Sequence, residues 1–468
     1  MTYDHNWRVI EAGRGPIETA PSPWSVWGIR LAAVLSVLIA ISLGWDWIEA
    51  FYRGVAVNAQ ISYKAFDQEL AIGPPLHASA RAIIGDHYFS DFQLPMGYAT
   101  SLRHSISPYF GPNPPEQYPP FSQILFIPFS FLPVRTSAVI YLALSAALFL
   151  VPLWLLLAPL KTEYRIFFLT PVAVLSTPLI SLLDRGNDIG IAVGFVAWAI
   201  WAWRSERWVL CGSFLAAAIA LKAYPAGILV VPLALRRYRF TIFVVAGAAV
   251  ANLISLVMYP GGYFRNLREV LPALQGKGVP LTQLTSWSLY SVIPKTVGLA
   301  SGLSSTYNLL EPKGLVVWIP SILYLVGVYV VIRRGRVPQW CWGPLSLASI
   351  QLIVPFSFAY TTAWAPLAAV WFAWGYLVDV RGMVPPESKA EGWIALRIML
   401  LFALALTIAP SVFTIGGAHH FHTPVGQYLS PILLVITLCT ALFYSLGPVS
   451  HESPPGELIE SESIIAKL

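Results

Sequence analysis

Two basic turns enclose an apolar segment, residues 207–237, with the sequence RWVLCGSFLAAAIALKAYPAGILVVPLALRR. Only 28 residues separate Arg207 from Arg236, whereas two helices that each cross a bilayer need roughly 40 residues. The centre of the segment is Lys222-Ala223-Tyr224-Pro225, and proline there can end one helix and begin the next. The segment therefore predicts two short half-helices, with the Lys222 ammonium at the turn between them.

Similar apolar runs recur along the whole chain of 468 residues, of which 56% are hydrophobic and only 11% charged. A soluble domain carries about 25% charged residues. The runs long enough to cross a bilayer as helices include 29–45, 138–157, 241–258, 316–332, 394–413 and 429–446. None has the strict alternation of a membrane β-strand. The predicted fold is an all-α, polytopic transmembrane bundle with about 10 to 13 membrane segments.

The basic residues lie in short turns between apolar runs, at Lys161/Arg165, Arg204/Arg207, Arg236/Arg237/Arg239, Arg333/Arg334/Arg336 and Arg381. The positive-inside rule places these turns and both termini in the cytoplasm, in a multi-pass protein of the inner (plasma) membrane. The same turns account for the net charge of +6, so no nucleic-acid partner is expected. Residues 122–132 are predicted to be re-entrant or tilted, because a full span there would put Lys161 and Arg165 outside.

This topology predicts four regions along the chain. Residues 1–26 form a cytoplasmic leader, and the apolar run that follows is kept as an anchor. The transmembrane domain covers 27–447 and contains a long external loop, 46–117, with interfacial helices. The Ser-, Glu- and Pro-rich tail, 448–468, is predicted to be disordered and cytoplasmic.

The polar motifs that are not simple turns collect on the predicted external face. In Asp184-Arg185-Gly186-Asn187-Asp188, the guanidinium suits a phosphate and the Asn187 amide adds donors for phosphate or sugar hydroxyls. Lys222 can reach a phosphate as a point charge. Simpler interpretations are a polar turn in which an Asp–Arg pair joins two helices, and a lysine that snorkels to the membrane surface.

The external loop carries six acids, of which one can act as a general base while the others are solvated: Asp46, Glu49, Asp67, Glu69, Asp86 and Asp91. Tyr118 opens the next apolar segment, either as a plain entry turn or facing an external cavity. His419, His420 and His422 have no carboxylate or cysteine near them in sequence, which favours an interfacial or substrate-contacting loop over a metal site. With no nucleotide-binding or nucleophile motif either, no cofactor is expected.

Several motifs occur in an order and spacing that resemble a known family. They are Ala80-Arg81-Ala82-Ile83-Ile84-Gly85, Tyr118-Pro119-Pro120-Phe121, Arg185-Gly186-Asn187, Lys222-Ala223-Tyr224-Pro225, Thr285-Ser286-Trp287-Ser288-Leu289 and Pro355-Phe356-Ser357-Phe358. The chain resembles the polytopic GT-C glycosyltransferases, most closely family 87, the polyprenyl-phosphate-mannose-dependent α-mannosyltransferases. The family's Asp after the first span is matched by Asp67 at a longer spacing.

The resemblance implies inverting, metal-independent transfer of a sugar, mannose as the first expectation, from a polyprenyl phosphate to a lipid or glycan acceptor at the external face. Because phosphate is a good leaving group, one base and cationic stabilisation are sufficient. Asp67 is the expected base, with Asp46, Glu49 and Glu69 as alternatives. The expected donor-binding residues are Arg185, Asn187, Asp188, Lys222, Tyr224 and Tyr118. Candidate substrate contacts are Ser286, Ser357, Tyr360 and His420.

Two other classes share a polytopic build. An O-antigen-type oligosaccharide polymerase or ligase normally has its large external loop late in the chain, whereas here the loop follows the first span. A lipid or solute transporter predicts inverted repeats with paired broken helices, and no internal repeat is visible. The donor sugar, the acceptor and the oligomeric state stay open at this point.

Overall fold

The structure, a computed structural model, describes residues 90–110, 119–158, 187–275, 319–335, 339–353, 364–379, 387–408, 414–416, 422–424 and 426–446, with a few single positions between them. The α-helices before the central gap are α1 (Ser90–Arg103), α2 (Pro120–Leu125), α3 (Val134–Leu156), α4 (Ile189–Arg204), α5 (Trp208–Leu221), α6 (Val230–Ala234), α7 (Tyr238–Ser255) and α8 (Tyr263–Gln275). Those after it are α9 (Ile319–Arg334), α10 (Gln339–Leu352), α11 (Trp364–Asp379), α12 (Glu387–Ile408) and α13 (Gly426–Leu446).

Helices α4 and α5 form an antiparallel hairpin closed by a three-residue turn, 205–207. The next basic turn lies beside it, since the Arg237 guanidinium is 5.1 Å from the centre of the Trp203 ring and 4.0 Å from that of Trp208. We call this end of the bundle the basic end. The opposite end, where α4 begins and α5 ends, is called the site end.

Other helices also run between the basic end and the site end. Helix α3 begins at the site end, because the Tyr141 hydroxyl donates to the backbone carbonyl of Asn187 at 2.7 Å. Helix α7 runs from Arg237 at the basic end to the end of α5. Helix α9 ends in Arg333 and Arg334. In the described residues, the turns with Arg207 and Arg237 therefore lie at the end of the bundle opposite Asn187.

The predicted pair of half-helices between Arg207 and Arg236 is confirmed. Helix α5 ends at Leu221, and Lys222 has extended backbone angles, φ −146° and ψ 135°. The chain resumes as a 3₁₀ turn, Tyr224–Leu229, with Pro225 in its first turn, and continues into α6. Helix, break and short return thus fit into a segment too short for two full spans.

Residues 122–132, which are predicted to be re-entrant or tilted, do not form one long helix, and their placement in the membrane stays a prediction. They form the short α2 and a 3₁₀ turn, Pro128–Phe131, instead of one long helix. The Tyr259 hydroxyl, just past the end of α7, donates to the Pro120 carbonyl at 3.2 Å. The two short elements therefore lie at the site end.

Three of the described helical segments are long and apolar enough to cross a bilayer, judged by length and composition: Thr136–Leu156, Tyr238–Met258 and Leu429–Leu446. The outward side chains of α7 and the 3₁₀ turn after it are apolar and exposed, with Val257 70% exposed, as on a surface in contact with lipid. The chain is a helical membrane protein. The number of membrane segments stays a prediction.

Helix α8 lies across the site end and is fastened by a buried asparagine. Asn266 accepts a hydrogen bond from the Ser107 hydroxyl at 2.8 Å and donates to the carbonyls of Tyr259, Pro260 and Gly262. On the opposite face Phe264 is 83% exposed. One face of this amphipathic helix therefore packs on the bundle and the other does not.

A short antiparallel pair of strands, β1 (Thr414–Gly416) and β2 (His422–Pro424), departs from the otherwise helical structure of the described residues. The two strands flank the segment with His419 and His420, and β2 includes His422. The leader 1–26, most of the loop 46–117 and the tail 448–468 lie outside the described residues, so the predicted domain boundaries stay predictions.

Gly227 allows the 3₁₀ turn to touch α10 closely. A Cβ atom at this position would lie 2.8 Å from the Cβ of Ser349 and closer still to its hydroxyl oxygen. We expect Gly227→Ala to lower the free energy of unfolding by about 1–3 kcal/mol through overpacking. Thermal unfolding in detergent measures the change.

Adding Ser349→Gly removes the two nearest atoms that the new methyl group meets and leaves Ile353 Cδ1 at 3.0 Å. The double variant should therefore unfold at a higher temperature than Gly227→Ala alone. Equal melting temperatures for the two variants would contradict this explanation.

Candidate functional site

A buried ion pair lies at the site end, between the start of α4 and the end of α5. The Lys222 Nζ atom is 3.3 Å from Asp188 Oδ1. The aspartate side chain is fully buried and that of the lysine is only 9% exposed. Burying two charges costs several kcal/mol each, which only close pairing and further hydrogen bonds offset.

Both charges lie at the helix ends that favour them. Asp188 directly precedes α4, where the N-terminal end of the helix dipole stabilises a carboxylate. Lys222 directly follows α5, where the C-terminal end stabilises a cation. The hairpin brings these two ends together because its helices are antiparallel and of similar length.

Ser122 completes the surroundings of the aspartate. Its hydroxyl donates to Asp188 Oδ2 at 2.7 Å, while the lysine faces Oδ1. Both carboxylate oxygens therefore have an interaction. The start of α2, the start of α4 and the end of α5 meet at this one carboxylate.

Asn187 is positioned by the backbone more than by the ion pair. Its side-chain oxygen accepts a hydrogen bond from the Ile189 amide at 3.0 Å, which satisfies one of the donors at the start of a helix. Its own carbonyl accepts the Tyr141 hydroxyl. Only 3% of Asn187 is exposed, so the described contacts give this residue a role in shaping the turn before α4.

Asn252 on α7 was not identified from the sequence, and it contacts two of the three segments. Its side-chain oxygen accepts from the Phe121 amide at 3.1 Å, and its side-chain nitrogen donates to the Ala220 carbonyl at 3.2 Å. The available signal was an amide residue within the apolar run 241–258, where polar groups are costly unless paired.

A second polar cluster lies beside α2 at the same end. The Gln123 amide donates to the Tyr109 hydroxyl at 3.1 Å and accepts from the Tyr259 hydroxyl at 2.9 Å, and the two rings stack with centres 5.3 Å apart. Burial raises the pKa of both phenols. They therefore stay protonated at neutral pH and act as fixed supports for α2, not as acids or bases.

The structure describes four of the residues predicted to bind the donor: Asn187, Asp188, Lys222 and Tyr224. It brings Asp188 and Lys222 into contact, and Tyr224 is half-buried two residues further along. Asp188 lies against the lysine, so its described role is to hold that cation. The simpler interpretation, a polar turn with an Asp–Arg pair, involves Asp184 and Arg185, which lie outside the described residues.

The remaining predicted site residues lie outside the described residues, and their roles stay predictions: Asp67, Asp46, Glu49, Glu69, Arg185, Tyr118, Ser286, Ser357, Tyr360 and His420. Within the described part of the chain, no group of three or more His, Cys, Asp or Glu side chains could hold a metal ion.

The pair can present a cation at a fixed position. A lysine side chain normally loses much rotamer freedom when it binds a ligand, but here the carboxylate already restrains it. An ammonium has three donors, so Asp188 can hold it while it also contacts an anion. The arrangement suits a phosphate that arrives at the site end.

The fold and this site define a helical membrane protein with a buried cation at one end. Comparison with family models gives a match to glycosyltransferase family 87 over residues 117–355, just over half of the chain. The chain belongs to this family of glycosyltransferases. Comparisons with curated proteins and with solved structures gave no match. The matched region contains Ser122, Asp188, Lys222 and Asn252.

Asp188→Asn should destabilise the protein strongly, because it removes the negative charge beside a buried ammonium. Breaking a buried pair in this way costs about 3–5 kcal/mol. The free energy of unfolding in detergent is the measurement, with Ser122→Ala as the matched control. That control removes one hydrogen bond to a charged group, which costs about 1.5–3 kcal/mol.

Replacing both members by apolar residues, Asp188→Leu with Lys222→Met, should restore most of the lost stability, since no charge is then buried. A double variant that is less stable than Asp188→Asn would show that the pair is not the source of the effect.

Proposed function

We propose that this glycosyltransferase transfers a sugar from a polyprenyl phosphate to a hydroxyl group of a lipid or glycan acceptor. The observation that carries the proposal is the restrained Lys222 cation beside Asp188, inside the region that matches the family. Family membership supports glycosyl transfer over solute transport and over oligosaccharide polymerisation. Mannose is the first donor sugar to test.

The reaction replaces the bond between the anomeric carbon and the phosphate oxygen with a bond to the acceptor oxygen. The bonding electrons leave with the phosphate, and the acceptor loses its proton to a base. Lys222 stabilises the charge that grows on the departing phosphate, and Arg185 provides a second cation. Attack from the opposite side of the sugar ring inverts the anomeric carbon. Neither a metal nor a second carboxylate is needed, in contrast to glycoside hydrolysis.

Asp67 is the proposed base, with Asp46, Glu49 and Glu69 as alternatives in the same loop. A base needs hydrogen-bond reach to the acceptor hydroxyl more than a large change in its pKa. The remaining proposed contacts are those expected from the family resemblance: Tyr118, Tyr224, Ser286, Ser357, Tyr360 and His420.

We infer that the reaction takes place at the external face of the inner (plasma) membrane, with both termini in the cytoplasm. The support is that the basic turns with Arg207 and Arg237 lie at one end of the hairpin and the ion pair at the other. Basic turns favour the cytoplasmic side. The prenyl chain then lies along apolar helix surfaces near the site end.

An in vitro assay tests the proposal. Purified protein in detergent receives a panel of polyprenyl-phosphate sugars and a cell-envelope lipid extract as acceptor, and products are identified by mass spectrometry. The wild type should transfer sugar, whereas Asp188→Leu/Lys222→Met should fold and lose at least about a hundredfold in kcat, the effect of losing a group that stabilises transition-state charge.

The matched control is Arg103→Ala. This change removes an exposed cation at the end of α1, where the guanidinium lies over the Phe131 ring. It should keep wild-type kcat. Transfer that persists in the double variant would exclude Lys222 from catalysis, and a folded wild type that uses none of the donors would refute the proposed reaction.

The base is tested separately in the same assay. Asp67→Asn should abolish transfer without changing the melting temperature, because an amide cannot accept the acceptor's proton. Normal transfer by this variant would move the role to one of the other three acids.

A further inference from the structure

Asn252 is the single side chain on α7 that links, by the described hydrogen bonds, both segments flanking the ion pair. Its oxygen accepts the Phe121 amide at 3.1 Å, and its nitrogen donates to the Ala220 carbonyl at 3.2 Å and to the Ala248 carbonyl of its own helix at 3.1 Å. Both polar atoms of the side chain are therefore used. Two of the three bonds reach outside α7.

Each of the two outside partners is a backbone group at a helix end. Phe121 lies in the first turn of α2, where amide donors have no partner within the helix, and Ala220 lies in the last turn of α5, where carbonyls have none. Asn252 therefore does for these two helix ends what a capping side chain does within one helix. It also fixes the distance between them.

These contacts close a ring around the charged pair. Phe121 precedes Ser122, whose hydroxyl binds Asp188; Asp188 binds Lys222; and Lys222 lies two residues beyond Ala220. A shift of α2 or of the end of α5 must therefore strain the contacts of the carboxylate or those of the lysine.

Asn252 lies on a part of α7 where an unpaired side-chain amide would cost free energy. The next two residues, Leu253 and Ile254, are exposed and apolar, so this part of α7 borders lipid, where polar groups in helices cost free energy unless they pair. Ser255, by comparison, bonds only to the Ala251 carbonyl of its own helix among the described residues. Asn252 differs because its bonds lead to the site.

We propose that Asn252 is a positioning residue that holds Ser122 and Lys222 in the geometry required for glycosyl transfer. This inference rests on the proposed function. Asn252 touches neither substrate nor reacting atom; it acts through the backbone of α2 and α5. A displacement of about 1 Å at a catalytic group can reduce a rate on the order of a hundredfold.

The test uses full-length protein and three variants: Asn252→Leu, which has similar volume and no polar atom; Asn252→Gln, which keeps the amide; and the matched control Ser255→Ala. For Asn252→Leu, kcat should fall about tenfold to a hundredfold while KM for the polyprenyl-phosphate donor changes less than about twofold. Asn252→Gln should recover part of the loss. Ser255→Ala should leave kcat and KM unchanged.

Hydrogen exchange followed by mass spectrometry tests the same link without requiring activity. In Asn252→Leu the amides of residues 121–125 should exchange faster, while those of 205–211 at the basic end keep their wild-type rates. If Asn252→Leu does not fold, Asn252→Gln decides, with an intermediate kcat and a normal melting temperature expected.

Three results would overturn the proposal: unchanged exchange in 121–125, exchange that rises equally in all helices, or wild-type kcat in Asn252→Leu. A wild type that transfers no sugar from any donor would refute the proposed function instead, and the exchange measurement would still report whether Asn252 holds α2 and α5 together.

Discussion

The pairing of Asp188 with Lys222 is the interaction on which the arrangement of the site end depends. Neither charge is stable alone in a buried, lipid-bordered position, so the chain must keep the start of α4 and the end of α5 together. The carboxylate also accepts the Ser122 hydroxyl, which brings in α2. One electrostatic requirement thus determines how three segments meet.

The helix hairpin lowers the free-energy cost of burying these two charges. Antiparallel helices of similar length place an N-terminus beside a C-terminus, so the aspartate and the lysine each lie at the favourable end of a dipole. At the other end the Arg237 guanidinium lies over two tryptophan rings. The same geometry therefore separates this arginine and its two tryptophans from the charged pair by the length of the hairpin.

Features that depend on local composition could be predicted from the sequence. Hydropathy located the spans at 241–258 and 429–446, and proline together with segment length located the break at Lys222. Contacts between distant segments could not be predicted in this way. Lys222 and Asp188 are 34 residues apart, and nothing in either motif indicates that the other one neutralises it. The role of Asn252 depends on backbone groups, which carry no residue-type signal, and the fastening of α8 depends on the same kind of contact.

The neutrality of the pair also determines how the site responds to an electrical potential across the membrane. A potential of 100 mV does about 2.3 kcal/mol of work on one elementary charge that crosses it fully. It does no net work on a paired cation and anion that move together. A lone lysine within the membrane field would be displaced by that field, whereas the paired lysine is held by its carboxylate.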